Sequence, residues 1–161
     1  MTINTILVPI DFSETSTRVL DFARTLADAC GASLHVMHII GDPLATTGTA
    51  EDERRDARQR LDALLNDDDR KKRGATTSCE IGTPAHEIVK YAVDHPVDLI
   101  VMGTHWHGST FQMAIGSIAE TVLGLAPCAV LAVKGTDAGK GEIELDHMRA
   151  KQAAVGKESL A

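Results

Sequence analysis

The chain has 161 residues, 43% hydrophobic and only 3% aromatic, with a formal net charge of −7. That length suits one compact domain with an aliphatic core and leaves little room for a second. The acidic balance argues against a DNA- or RNA-backbone binder, and no apolar run is long enough to span a bilayer.

Residues 4–10 (NTILVPI) are a continuous apolar run, the pattern of a strand covered on both faces. The run ends at Asp11-Phe12-Ser13. A helix follows, with Val19, Phe22, Ala23, Leu26, Ala27 and Cys30 as its apolar stripe and Gly31 where a C-cap belongs. Residues 33–40 (SLHVMHII) predict a second strand, and residues 41–50 a Gly/Pro/Thr loop. The next helix opens on Glu51-Asp52-Glu53, suited to the positive end of a helix dipole, and buries Ala57, Leu61, Leu64 and Leu65. The charge run DDDRKKRG reads as a solvated helix end and turn.

Residues 76–81 predict a third strand. Thr83 then serves as N-cap and Pro84 as the first residue of a helix running through AHEIVKYAVDH. Residues 98–102 (DLIVM) predict a fourth strand. A long loop from Gly103 leads to a helix whose start, Gly116-Ser117-Ile118-Ala119-Glu120, has capping-box spacing. Pro127 introduces a fifth strand, 128–134. The polar tail, residues 135–161, reads as a flexible extension, briefly helical around 145–154, which leaves 1–134 as the domain. The opening MTINTILVPI has no basic n-region, so a cytoplasmic location is expected. Cys30, Cys79 and Cys128 show no CxxC spacing and read as reduced, half-buried thiols.

Strand–helix alternation with short apolar strands predicts an α/β, Rossmann-like doubly wound parallel sheet with helices on both faces. Such sheets bind ligands beyond the carboxyl ends of strands, where the winding reverses. That rule singles out Asp11-Phe12-Ser13 and the loop from Gly103 to Ser117.

The stretch VMGTHWHGSTFQMAIGSIAE carries the most chemistry. A glycine directly after a buried strand lets the backbone turn its N–H groups toward a ligand. Gly-Ser at a helix start offers amides, a hydroxyl and the positive end of a dipole, a combination suited to phosphate. Turn-making and tight helix entry would explain the same glycines. The spacing from Gly103 to Gly108-Ser109-Thr110 mimics a P-loop, but Ser109 stands where that motif requires lysine, so the motif is rejected. The GxGxxG fingerprint is missing after the first strand. His105 and His107 flank Trp106 without a cysteine or carboxylate at ligand spacing, so no metal site is expected. His86-Glu87 reads as part of a helix start. No nucleophile elbow, triad or motif-placed carboxylate pair is present, so no catalytic residue is assigned.

The blocks ILVPIDFSETSTRVLDFARTLA, GTPAHEIVKYAVDHPVDLIVMGTH and GSIAETVLGLAPCAVLAVK together resemble the universal stress protein family over roughly residues 1–134. The resemblance implies a five-stranded sheet of order 3-2-1-4-5. It also implies a homodimer in which the last strand, Cys128 to Lys134, pairs with its counterpart. ATP-binding members carry Gly, two residues, Gly, nine residues, then Gly-Ser or Gly-Thr. Gly103 matches the first position and Gly116-Ser117 the last pair, while Trp106 occupies the middle glycine position. An indole there would fill space meant for phosphate, or be strained if the backbone needs a positive φ.

Carried over residue by residue, the resemblance puts Pro9, Asp11 and Ile39 on the adenine and ribose side. It puts Gly103, Thr104, His105, Gly108, Ser109, Gly116, Ser117, Ile118 and Ala119 around the phosphates of ATP, with Mg2+. Three readings follow. One is a nucleotide-binding regulator of stress response whose ATP hydrolysis, if any, is slow and incidental. The second is an interaction module with a degenerate site and no nucleotide. The third, an adenylating enzyme, lacks the Ser-Gly-Gly-like loop such enzymes carry after the first strand.

Overall fold

In the computed structural model, which describes residues 2–41, 50–104 and 116–134, the first apolar run becomes β1 (Thr5–Pro9). Ser13 ends the turn after it and caps α1 (Glu14–Cys30), its Oγ accepting a hydrogen bond from the Ser16 amide at 3.1 Å. The helix stops at Gly31, whose φ of 70° lies in the left-handed region that side-chain-bearing residues avoid. Next come β2 (Ser33–Ile40), α2 (Ala50–Leu64), α3 (Asp67–Lys71) and β3 (Thr76–Ile81). The chain continues through α4 (Pro84–Asp94), β4 (Leu99–Thr104), α5 (Ser117–Leu125) and β5 (Ala129–Lys134). The strands pair in parallel in the order β3-β2-β1-β4-β5, the expected doubly wound sheet.

Side chains alternate across the pleat, so each strand feeds two cores. Ile6, Val8, Leu34, Val36 and Val101 pack with Val19, Leu20 and Ala23 of α1 and Leu61 of α2. On the other face Leu7, Met37 and Ile100 meet Ile88 and Ala92 of α4 and Ala119 and Val122 of α5. Both faces of the central strands are covered, which is why β1, β2 and β4 read as largely apolar runs. Each fully buried Leu or Ile contributes about 1.5–3 kcal/mol from removal of its side chain from water.

Three expectations need correction. The apolar stripe of α1 is rotated from the one predicted: Leu20 is fully buried, whereas Phe22 is 43% exposed and Cys30 is exposed. Both lie on an apolar side of the helix, but the strands beneath contact a narrower strip. Of the other thiols, Cys79 is buried and Cys128 half-buried.

The charge run is not simply solvated. It forms α3, opened by a capping box in which the Asp69 amide donates to Asn66 Oδ1 and the Asn66 amide to Asp69 Oδ2, both at 2.9 Å. Asp69 has no exposed surface. Its carboxylate accepts from Arg24 Nε (3.0 and 3.1 Å), Arg24 Nη2 (2.7 Å) and Arg73 Nη1 (2.8 Å). Burial pushes this carboxyl up, but the hydrogen bonds from Arg24, Asn66 and Arg73 outweigh it and hold it below its ordinary value. Arg73 also grips Asp28 at 2.6 and 2.8 Å, so the network pins α1 to α3.

The third correction concerns α5. Its N-cap is Gly116, with no side-chain capping bond, which moves Ser117 to the first helical position and leaves the predicted capping box unformed. Thr83 likewise caps α4 by backbone conformation alone, with Pro84 in its first turn. No helix among the described residues is long and apolar enough to cross a membrane.

Candidate functional site

The sheet order reverses between β1 and β4, which pair side by side at the centre of the sheet. A cavity of about 560 Å³ opens at this point. Pro9, Ile10 and Asp11 reach it from the end of β1, Ile39 from β2, and Met102 and Gly103 from β4. Thr15 and Ser16 close it from the first turn of α1, Pro84 and Ile88 from α4, and Gly116, Ser117, Ile118 and Ala119 from the start of α5. One wall is thus aliphatic and the other is a helix N-terminus.

The β1–α1 turn explains how Asp11 is presented. Its Oδ1 accepts both the amide (3.0 Å) and the hydroxyl (2.6 Å) of Ser13, fixing the carboxylate at the exposed mouth. Between them Phe12 adopts a φ of 61°, a left-handed conformation costly for an aromatic residue. Its ring rests against His38 (centroids 4.4 Å apart), and the Arg60 guanidinium lies 3.9 Å above it. His38 Nδ1 in turn donates to the Ile10 carbonyl at 2.7 Å. Packing from β2 and α2 thus holds a turn that local preference would not choose.

Gly103 does not end the strand, as predicted, but lies inside β4, opposite Val133 of β5. Its lack of a side chain has a steric reason: a Cβ there would stand 3.2 Å from Thr15 Cγ2 and 3.5 Å from Val19 Cγ2. The glycine lets the first turn of α1 close over β4. At the facing wall, the amides of Ser117, Ile118 and Ala119 precede the first i to i−4 bond of α5, which Glu120 makes to the Gly116 carbonyl at 2.9 Å. These amides and the helix dipole make the wall suited to an anion.

Of the residues expected at a site, Pro9, Asp11, Ile39, Gly103, Gly116, Ser117, Ile118 and Ala119 come together around this cavity. Thr104 does not line it; its Oγ1 is 3.5 Å from the Val133 carbonyl on the neighbouring strand. His105, Gly108 and Ser109, with Trp106 and His107, lie outside the described residues, as does the tail from 135. Ile10, Thr15, Ser16, Pro84, Ile88 and Met102 were missed. The switch-point rule could have found Thr15, Ser16 and Met102, which flank the same two strand ends; Pro84 and Ile88 come from α4 and carry no local signal.

The walls fit an adenine nucleotide: Ile39, Ile88 and Met102 can flank a base, Asp11 can accept from ribose hydroxyls, and the α5 amides can donate to phosphate. A divalent cation fits less completely. No group of three or more His, Cys, Asp or Glu among the described residues could hold one, so Mg2+ would rely on ligand phosphate and water, with Asp11 as the carboxylate at hand.

A second cavity, about 510 Å³, lies between β3 and α4, lined by Thr76, Thr77, Ser78 and Glu80 of the strand and by Glu87, Lys90, Tyr91 and Asp94 of the helix. There Tyr91 is hydrogen-bonded to His35 Nδ1 at 3.0 Å and stacked on His95 with centroids 3.9 Å apart. Burial, and next the neighbouring His95, push the His35 pKa down.

Comparisons with known proteins agree with this architecture. The model of the universal stress protein family matches residues 2–134. Universal stress protein A homolog 1 of Coxiella burnetii is 34% identical, over 80% of this chain and 94% of its own. The solved universal stress protein UspA from Lactobacillus plantarum superposes with a TM-score of 0.64 at 27% identity, covering 83% of this chain and 99% of that one. A universal stress protein solved in complex with cAMP has a TM-score of 0.58 at 26% identity, covering 83% and 98% of the two chains. The chain belongs to the universal stress protein family.

Proposed function

We propose that the chain is a cytoplasmic regulatory module of stress response that holds an adenine nucleotide in the switch-point cavity and works as a homodimer. The observation that carries the nucleotide reading is the pairing of an aliphatic wall with the N-terminus of α5 across one cavity at the ends of β1 and β4. The relative solved with cAMP supports the same class of ligand. ATP, accompanied by Mg2+, belongs to that class, and any hydrolysis is slow and incidental. The nucleotide-binding unit is residues 1–134, with 135–161 an appended extension.

The homodimer forms by pairing of β5 with its counterpart. Among the described residues β5 is an edge strand carrying half-buried Val130, Leu131 and Val133, a surface that invites another strand. Light scattering should give twice the chain mass. Ala132→Lys, at an exposed position of that strand, should shift it toward the monomer.

A second reading, an interaction module without nucleotide, is favoured by Trp106 at the middle glycine position. The chain has one tryptophan, so its fluorescence reports on that loop. Titration with cyclic AMP and ATP should change the signal, and Trp106→Gly, followed by calorimetry, should bind more tightly. Absence of heat and thermal shift with either nucleotide at about millimolar concentration, a Kd regime near −4 kcal/mol, would leave the interaction module as the reading. Nucleotide retained tightly through purification would eliminate it.

A further inference from the structure

Helix α4 contributes to the walls of both cavities. Pro84 and Ile88 line the switch-point cavity, while Glu87, Lys90, Tyr91 and Asp94 line the second one. Where this helix ends, three rings hold it to the sheet. The Tyr91 oxygen lies 3.0 Å from Nδ1 of His35 on β2. His95, the C-cap of α4, stacks on Tyr91 with centroids 3.9 Å apart and ring planes 12° from parallel. Its Nδ1 and its backbone nitrogen are each 3.0 Å from the Tyr91 carbonyl oxygen. The His35 ring stands edge-on to His95, with centroids 6.2 Å apart.

This arrangement suits an uncharged His35. With the proton on Nε2, neutral His35 offers Nδ1 as an acceptor, and the Tyr91 hydroxyl donates to it. A second proton turns that acceptor into a donor, so the hydroxyl loses the group it donates to. The new charge is half-buried and faces a second imidazole. Of the charged groups lining this cavity, Glu80 of β3 accepts from Ser78 at 2.7 Å and lies 3.8 Å from Arg54. Glu87 of α4 pairs with His86 (3.2 Å) and Lys90 (4.0 Å), and Lys90 and Asp94 are exposed, where water screens them. From β1 the register partner of His35 is the uncharged Leu7, and His38 lies on the opposite face of β2, against Phe12. Burial first, and His95 next, hold the His35 pKa below its ordinary value.

We infer that His35, Tyr91 and His95 form a pH-sensitive latch: with His35 neutral it seats the last turn of α4 on the sheet, and protonation of His35 frees that turn and slackens the wall that α4 gives the switch-point cavity. The sign follows from linkage. A freed turn exposes His35 to water and takes up its proton more readily than the closed one, so opening increases as pH falls through about 6.5. The latch does not depend on which ligand the switch-point cavity holds.

The test is amide hydrogen exchange of the full chain, read residue by residue by NMR between about pH 7.5 and about pH 5.5 and divided by the intrinsic rate at each pH. Protection of the Asp94 and His95 amides should fall about threefold or more across this range, while the Leu7 and Val8 amides in the sheet hold. His35→Gln should remove the pH dependence. Tyr91→Phe, which lacks only the hydroxyl, should be weakly protected at both ends of the range. His95→Gln should move the midpoint to higher pH, because it removes the group that opposes a charge on His35. The Ile88 methyl signal should shift with the same midpoint in the native chain and stay still in His35→Gln. Unchanged protection in the native chain, or the same fall in His35→Gln and Tyr91→Phe, would overturn the latch. A stationary Ile88 signal in the native chain would overturn its reach to the switch-point cavity.

Discussion

Replacing Asp69 by alanine tests whether a charge run at the surface of the sequence is a structural joint. The carboxylate is fully buried and receives hydrogen bonds from Arg24, Arg73 and the Asn66 amide. Its removal strands two guanidinium groups whose side chains are only 17% and 12% exposed. Breaking a buried pair from one side costs about 3–5 kcal/mol. Arg24 keeps Asp21 (2.6 Å) and the Leu64 carbonyl (2.7 Å), and Arg73 keeps Asp28, so the lower end, about 3 kcal/mol, is expected. For a domain of this size that lowers Tm by about 6–12 °C in differential scanning calorimetry.

The sign with pH follows from the depressed carboxyl. Folded Asp69 stays ionised below the pH at which the unfolded side chain protonates, so its stabilisation is full above about pH 4 and fades as pH falls toward the lower folded value. Asp69→Asn should flatten that acid limb. A Tm loss below about 2 °C for Asp69→Ala would refute the view that α3 is anchored by this charge.

At Gly103, alanine should cost about 1 kcal/mol, since Thr15 must yield by a few tenths of an ångström, and valine should cost more and weaken nucleotide binding; thermal melts and titration check both. Phe12 offers a test of sign: at its φ of 61° Phe12→Gly should be more stable than Phe12→Ala by about 1 kcal/mol in urea unfolding, the reverse of the order in a strand or helix interior. The lowered pKa of His35 means the unfolded chain takes up its proton first as pH falls through about 6.5, so stability should decline there until the folded side chain also protonates. His35→Gln should remove that part of the slope, measured by denaturant midpoints between about pH 7 and 5.

Much of the fold was legible because it is carried by local patterns. Two strands, Ser33–Ile40 and Thr76–Ile81, match the sequence reading residue for residue, and the others differ by one or two residues at their ends. Apolar runs bounded by Gly, Pro and polar residues need no distant partner to be recognised. The C-cap at Gly31 was equally plain, since glycine at a helix end answers a backbone requirement. Eight of the fourteen residues lining the cavity were expected: the rule that ligands sit where the winding of a parallel sheet reverses singled out Asp11, Gly103, Gly116 and Ser117, and the family resemblance added Pro9, Ile39, Ile118 and Ala119.

What the chain's own order of residues could not disclose depends on partners far away in it. Asp69 looks like any acidic residue in a charge run until Arg24, forty-five positions earlier, is folded against it. Phe12 is unremarkable until His38 and Arg60 hold it in a conformation it would otherwise refuse. The glycine at 103 looked like a turn; only the approach of Thr15 shows that it makes room for a helix. Local preference and periodicity decide which segments become strands and helices, because those energies depend on near neighbours. Burial, charge pairing and strain depend on contacts between segments, so they were decided only when the sheet and its helices came together.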